Sequence, residues 1–376
     1  MTTAIPIIIF LLILSVVIFI HELGHFLAAR RAGIFVEEFA LGMGPKLIEF
    51  KGKKPSLRQP PEGEEPEVTR YTLRALPIGG FCKMRGQDED VPDDPEAMNN
   101  KSVGARMLVI AGGSVMNFIL AFLIFFILTI LQGYSVQEVQ GLMPDSPGYN
   151  AGLQIGDRIT HINGVRVNLL EDFMFMMESS GGREIDVRVN RSGEILHFAI
   201  TPMRGPQGYL IGFNRTRRAG LLHSRPEDPG IPFQRAGVLE SGFIAAETIL
   251  FHVRTPFRLI ARFAAGQTLP EGGGVMGPIG LGGQVVEVYQ EVIQFGFLST
   301  FLTMLFIMGL LNAALGIMNL LPIPALDGAR LIFLAIEGIR RKPVPPEREA
   351  VVHLVGIVAI LALAVFIAYR DIGRLI

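Results

Sequence analysis

FIHELGHFLAARR, residues 19–31, sets two histidines and a glutamate at the end of an apolar run that starts at Ala4. On a helix, residues four apart share a face, so His21 and His25 point the same way and Glu22 lies one step round. H-E-x-x-H in that form has a mechanical meaning: the imidazoles bind zinc and the glutamate serves as general base toward a zinc-bound water. A carboxylate inside a bilayer costs about 2.5–3.5 kcal/mol on insertion scales, so a bystander glutamate is unfavourable here. Arg30 and Arg31 mark where the run meets water. At about 1.5 Å per residue, His25 and His21 lie roughly 8 Å and 14 Å inward from Arg30. The run lacks a basic leader and an A-x-A-like cleavage site, so it is expected to remain as a mature helix.

Further along, three more apolar runs reach the roughly 20 residues that a bilayer demands. With the first, at about Ala4–Ala28, they fall near Ala105–Leu131, Phe297–Leu321 and Ala350–Tyr369. Lysine and arginine concentrate between the first two runs (residues 30–104) and again at Arg340, Arg341, Lys342 and Arg348. By the positive-inside rule both loops are cytoplasmic, and the segment between the second and third runs is extracytoplasmic. The chain has 376 residues and a formal net charge of −1, so nucleic acid is not an indicated partner. Cys82 is the single cysteine, which excludes an intrachain disulfide.

The first loop contains an acidic, proline-rich insert, QPPEGEEPE (59–67), and then TRYTLRALPIGGFCKM (69–84). The latter alternates apolar and polar residues about Gly79-Gly80, which predicts a β-hairpin or looped strand pair. Leu73, Leu76, Ile78 and Phe81 make it apolar enough to associate with the membrane. Residues 134–213 carry short strand patterns, with a helix expected over 168–178. Residues 204–232 have the composition of a linker. Arg254, Arg258 and Arg262 recur at four-residue spacing, as on an amphipathic interfacial helix over 239–264. GGGVMGPIGLGG (272–283) is expected to be a loop before a further helix.

A catalytic zinc site needs a third protein ligand and an open position. His161, His197, His223 and His252 fall on the extracytoplasmic side; His353, at the start of the fourth run, stays available. Asp327, in NLLPIPALDGAR (319–330), is favoured, because prolines and a glycine interrupt an apolar stretch there, as where broken helices line a polar cavity. The ordinary alternative for Asp327 is a helix N-cap. Asn117 and Asn312 either wet such a cavity or hydrogen-bond between helices.

HELGH followed by NLLPIPALDG resembles the site-2 protease family of intramembrane zinc metalloproteases. YTLRALPIGGFCKM and NNKSVGARMLVIAGGSVMNF resemble its bacterial branch, and SPGYNAGLQIGDRITHINGVRV (146–167) resembles a PDZ domain. The resemblance covers nearly the whole chain. It implies Zn2+ held by His21, His25 and Asp327, with Glu22 as the catalytic base, and Asn319 matches a family asparagine that assists the substrate or its oxyanion. Where the family often has Gly-Pro before the second-span asparagine, this chain has AGGSVMN, ending at Asn117.

The expected fold class is a polytopic α-helical membrane protein of about four transmembrane helices, with a membrane-associated β-hairpin and an inserted α+β PDZ-like domain. The domains expected are two spans with a hairpin loop (1–132), the PDZ-like domain (134–216), a linker with amphipathic helices (217–295) and two spans with the LDG motif (296–376). The expected activity is that of an intramembrane zinc endopeptidase of a bacterial cell membrane, cutting transmembrane segments such as those of anti-sigma factors or remnant signal peptides. Asn319, Gly79, Gly80, Leu76 and Asn117 are expected to contact substrate. A peptide groove is expected between residues 139–143 and 169–177, serving either to read a free C-terminus or to exclude bulky substrates. A metal transporter would need polar residues continuing across the bilayer, and above His21 the first run offers only Ser15. An inactive scaffold would lack Glu22 or Asp327.

Overall fold

The computed structural model describes residues 4–57, 65–87, 91–205, 208–218, 236–264 and 278–375. Most of the acidic insert, all of residues 219–232 including His223, and residues 272–277 lie outside the described residues. The chain forms two compact units, and the boundary falls between Ala121 and Phe122.

The first unit comprises residues up to Ala121 and from Val275 onward. It begins with α1 (Ala4–Arg31), whose buried face follows a helical stripe: Phe10, Ile13, Val17, His21, Gly24, His25 and Ala29. Arg30 and Arg31 close its last turn, where cations complement the helix dipole. α2 (Val103–Gln132) starts in this unit. α1, α2 and α7 (Phe297–Leu320), together with residues 347–366 of α9 (Pro346–Leu375), are each long and apolar enough to cross a membrane.

Between α1 and α2 lie two long strands, β1 (Val36–Pro55) and β2 (Val68–Met84). The hairpin expected within residues 69–84 is corrected here: those residues form one strand, whose partner is β1. The register is folded on itself. Leu41 lies opposite both Gly80 and Leu73, while Leu73 also faces Ile48. The early half of β2 is thus paired on two sides, by residues 38–41 and 48–51 of β1. Residues 80–83 of β2 pair only with residues 38–41 and form an edge. Buried Glu38 ties the fold-over, accepting hydrogen bonds from Thr72 Oγ1 and Arg74, each at 2.7 Å. Buried Arg85 closes the other end. It donates to Ser56 Oγ at 2.9 Å, pairs with Asp94 at 3.3 Å and with Glu67, and stacks on Phe35.

α6 (Pro278–Ile293) packs against α1 and α7, with Val285 beside Phe10, Val17 and Met304. Residues 278–283, expected to be loop, instead open α6, and this helix folds with the spans because its apolar face needs those helices to cover it. α8 (Asp327–Arg340) follows α7 after a six-residue turn.

The second unit holds the rest of α2 and a six-stranded sheet of order β10-β3-β4-β6-β7, with β5 on β4. The strands are β3 (Tyr134–Leu142), β4 (Arg158–Ile162), β5 (Val165–Arg166), β6 (Ile185–Arg191), β7 (Glu194–Ile200) and β10 (Phe213–Arg218); a small pair, β8 (Met203–Gly205) and β9 (Gly208–Leu210), lies apart. α3 (Pro147–Asn150) is a single turn capped by Ser146, and α4 (Leu170–Ser180) ends at Gly181 in the left-handed conformation. Ile159, Ile162, Val187, Val189 and Phe173 form the core. The groove expected beside residues 139–143 is moved by this order. β3 has β10 on one side and β4 on the other, so the edge on that side of the sheet belongs to β10, which lies in the stretch expected to be a linker. α5 (Val238–Ala264) is the expected amphipathic helix; its Arg258 pairs with buried Asp172 of α4 at 3.2 Å.

Candidate metal centre

Two glycine contacts bring the site together. α1 and α2 cross at Gly24 and Gly112, where a methyl added to Gly24 would stand 2.1 Å from the Gly112 carbonyl oxygen. Beside them Gly113 faces the histidines; its methyl would lie 2.6 Å from both imidazoles. The AGG that departs from the family's Gly-Pro is therefore a close helix approach, of the small-residue kind found between membrane helices.

That approach sets the histidines. His25 Nδ1–H donates to the Val109 carbonyl of α2 at 2.9 Å, which leaves the Nε2 lone pair free. His21 Nδ1 lies 3.3 Å from Asn117 Nδ2, while Asn117 Oδ1 is buried without a partner. Rotating that amide by half a turn lets Oδ1 accept from His21 Nδ1–H and frees His21 Nε2 as well. Asn319, from the end of α7, brings Nδ2 to 3.3 Å of His21 Nε2.

Asp327 arrives at the first residue of α8. It is not the N-cap; Leu326 holds that position and makes no side-chain cap bond. Asp327 Oδ2 lies 3.1 Å from His21 Nε2 and 3.3 Å from His25 Nε2, and the two Nε2 atoms are 3.1 Å apart. Three acceptor atoms this close repel one another unless a cation or proton sits among them. A tetrahedral ion with bonds of about 2.0–2.1 Å requires ligand separations of about 3.3–3.4 Å, which these approach. Among the described residues, His21, His25 and Asp327 are the one such group able to hold a metal ion. The donor set fits zinc with one position open.

The three residues open on a cavity of about 350 Å³, whose wall includes Glu22, Phe81, Cys82, Asn319 and Arg330. The backbone N–H of Cys82 reaches the Glu22 carboxylate. A methyl on Gly80 would stand 3.5 Å from Glu22 Cγ. Of the residues expected at the site, the structure brings His21, His25, Glu22, Asp327, Asn319, Asn117 and Gly80 together. Gly79 instead faces Met43, and Leu76 is exposed away from the cavity wall. His353 is not a member of the cluster. Sequence reasoning missed Gly113, Val109 and the Cys82 amide. The glycine pair within an apolar helix was the one available signal for the first. A backbone carbonyl or amide leaves no mark in a sequence.

A metal-ready His-His-Asp centre beside a glutamate, with four helices among the described residues long and apolar enough to cross a membrane, marks a membrane metallohydrolase. The chain belongs to peptidase family M50, whose model matches residues 9–363. It is 29% identical to the regulator of sigma-W protease RasP of Bacillus subtilis, over 97% of this chain and 98% of that protein. It is 27% identical to the zinc metalloprotease RasP of Oceanobacillus iheyensis over the full length of both. A Clostridium perfringens protein assigned as a zinc metalloprotease is 31% identical over 96% of this chain and 97% of its own length. The protein is a bacterial membrane zinc metalloprotease.

Proposed function

We propose that the protein is an intramembrane endopeptidase that cuts transmembrane segments of single-span membrane proteins. The observation that carries this is the convergence of His21 Nε2, His25 Nε2 and Asp327 Oδ2 on the inner part of a membrane-length helix, with Glu22 on the same cavity. His21, His25 and Asp327 hold the ion; Val109 and Asn117 orient the imidazoles. Zinc, when bound, acidifies water and polarises the scissile carbonyl. Glu22 takes the proton of the attacking water and returns it to the leaving amine. Asn319, on the same cavity wall, would donate through Nδ2 to the substrate carbonyl oxygen. The test is zinc analysis with cleavage of a model span in detergent. We expect about one zinc per chain, cleavage inside the span, loss with a chelator and recovery with zinc. Cleavage confined to soluble peptides would overturn the intramembrane reading. Because the B. subtilis relative is named for sigma-W regulation, anti-sigma factors are the first substrates to try, with remnant signal peptides second.

A substrate helix must unwind before its carbonyl can be attacked, and its freed N–H and C=O groups then need partners below the lipid surface. The edge at residues 80–83 can supply them by strand addition. Thr72 and Leu73, by contrast, already have β1 on both sides. Exposed Met43, Leu47, Ile48, Phe50 and Leu76 support membrane association of the sheet. Proline placed singly from Gly80 to Lys83 removes one backbone donor each time. At positions whose N–H faces the substrate, we expect reduced cleavage with zinc retained. Helix-breaking residues in the substrate span are expected to restore part of the rate. Because the Cys82 N–H serves Glu22, proline at Cys82 does not count, and unchanged cleavage at the other three positions would exclude pairing there.

The charge asymmetry supports a cytoplasmic location for residues 30–104 and an extracytoplasmic one for residues 134–216. Single cysteines replacing exposed Leu57 and Glu194 report this directly. Cys82 can stay, because burial, with Glu22 nearby, pushes its thiol pKa well up and keeps it unreactive. An impermeant thiol reagent on intact cells is expected to label Glu194→Cys and spare Leu57→Cys; the reverse pattern would overturn the topology. The sheet of residues 134–218 with α4 supports a PDZ-like domain, acting as a size filter or as a reader of C-termini at the β10 edge.

A further inference from the structure

The turn that delivers Asp327 is not explained by its own sequence. Residues 321–326 leave α7 and reverse into α8, and Ala325 takes φ +76°, a left-handed conformation disfavoured for a residue with a Cβ. Leu326 brings no side-chain cap to α8. The support comes from α9. Ala325 N–H donates to His353 Nδ1 at 2.9 Å. Three residues on, Gly356 faces the same turn; a methyl there would stand 2.2 Å from Pro324 Cβ. Phe333 of α8 lies against the His353 ring, centroids 6.0 Å apart. His353 and Gly356 fall on one face of α9 with Glu349 and Ile360, and this is the face withdrawn from solvent in an otherwise exposed helix. Since Nδ1 accepts a hydrogen bond, the neutral ring carries its hydrogen on Nε2, which faces Glu349 Oε1 at 3.6 Å.

We propose that His353 is a positioning residue for the metal centre. Its Nδ1 holds the strained Ala325 N–H, and the turn so fixed aims Asp327 Oδ2 at the two imidazoles. The fourth span thereby acts on the zinc without touching it. This rests on the reading of Asp327 as a zinc ligand. It replaces the alternative in which His353 is itself a ligand, because Nδ1 is already engaged with the turn.

The test measures zinc affinity of the full-length protein in detergent by competition with a chelator, with cobalt substitution as a spectroscopic report on ligand geometry. His353→Leu removes the acceptor, His353→Gln moves it to the Nε2 position, and His353→Asn keeps it where Nδ1 was. Loss of an outer-shell partner typically weakens metal binding about 10–100-fold, and that is expected for the Leu and Gln variants, with an altered cobalt spectrum. His353→Asn is expected to stay within about threefold of the parent, against that same scale. Parent-like affinity in His353→Leu would overturn the proposal. So would a loss in His353→Asn equal to that in His353→Leu, since bulk and not the acceptor would then matter. If the Leu variant does not fold, the Asn and Gln variants decide, and equal affinities for those two overturn it. Asp327→Ala measured alongside separates the two levels. Its loss of zinc with a parent-like His353→Leu refutes positioning alone, whereas retention of zinc by Asp327→Ala refutes the ligand reading beneath it.

Discussion

Glu22→Gln is expected to keep about one zinc per chain and to lose cleavage by about 10²–10⁴-fold, the usual contribution of a general base. Glutamine keeps the size of the side chain and can still accept from the Cys82 amide, but it cannot take a proton. The three atoms that converge on the metal position belong to His21, His25 and Asp327, so removing the Glu22 charge leaves them intact. The measurement pairs metal analysis with single-turnover cleavage of a model span. A variant that retains zinc and cuts at the parent rate would remove Glu22 from the mechanism. One that loses zinc would make it a ligand.

Gly113→Ala is expected to cost most of the bound zinc and, with it, the activity. The added methyl would sit 2.6 Å from His21 Cε1 and from His25 Nε2, well inside van der Waals contact. Neither ring can retreat freely. His25 is tied to the Val109 carbonyl, and α1 is pressed on α2 at Gly24 and Gly112. The helices must separate or the imidazoles must turn away, and each alternative breaks the ligand triangle. Gly104→Ala, in the same helix, has nothing within 4 Å of the new methyl. It is expected to leave zinc content unchanged. Equal zinc occupancy in the two variants, by metal analysis after gel filtration, would show that the α1–α2 approach does not govern the site.

The centre was legible where its geometry is local. His21, Glu22 and His25 lie within five residues of one helix, and a helix fixes which of them share a face. Asp327 was reachable because a proline-broken apolar stretch announces irregular backbone at membrane depth. Asn117 and Asn319 were named, though their position beside the His21 ring was not foreseen. β1 went unseen, because residues 36–55 mix glycine, charge and apolar residues without a clean period. β10 was hidden for a similar reason, in a stretch rich in arginine and glycine. Without β1, the edge of the first sheet could not be found. Without β10, the groove was set against a strand that already has two neighbours.

By itself the sequence determined the four membrane-length helices found among the described residues, the histidine pair with its glutamate, and membership of the class of membrane metalloproteases. Each follows from run length, helical period or a contiguous motif, all of which act between near neighbours in the chain. Tertiary structure alone decided which strand edge borders the cavity, that α1 and α2 meet at Gly24 and Gly112, and that Gly113 leaves the room the imidazoles occupy. It also decided that His353 accepts from the Ala325 N–H of the Asp327 turn and stands outside the His21–His25–Asp327 group. These depend on contacts between residues far apart in sequence: Leu41 with Gly80, Gly24 with Gly112, Ala325 with His353. Such pairings are selected by the packing of whole elements, and no local pattern specifies them.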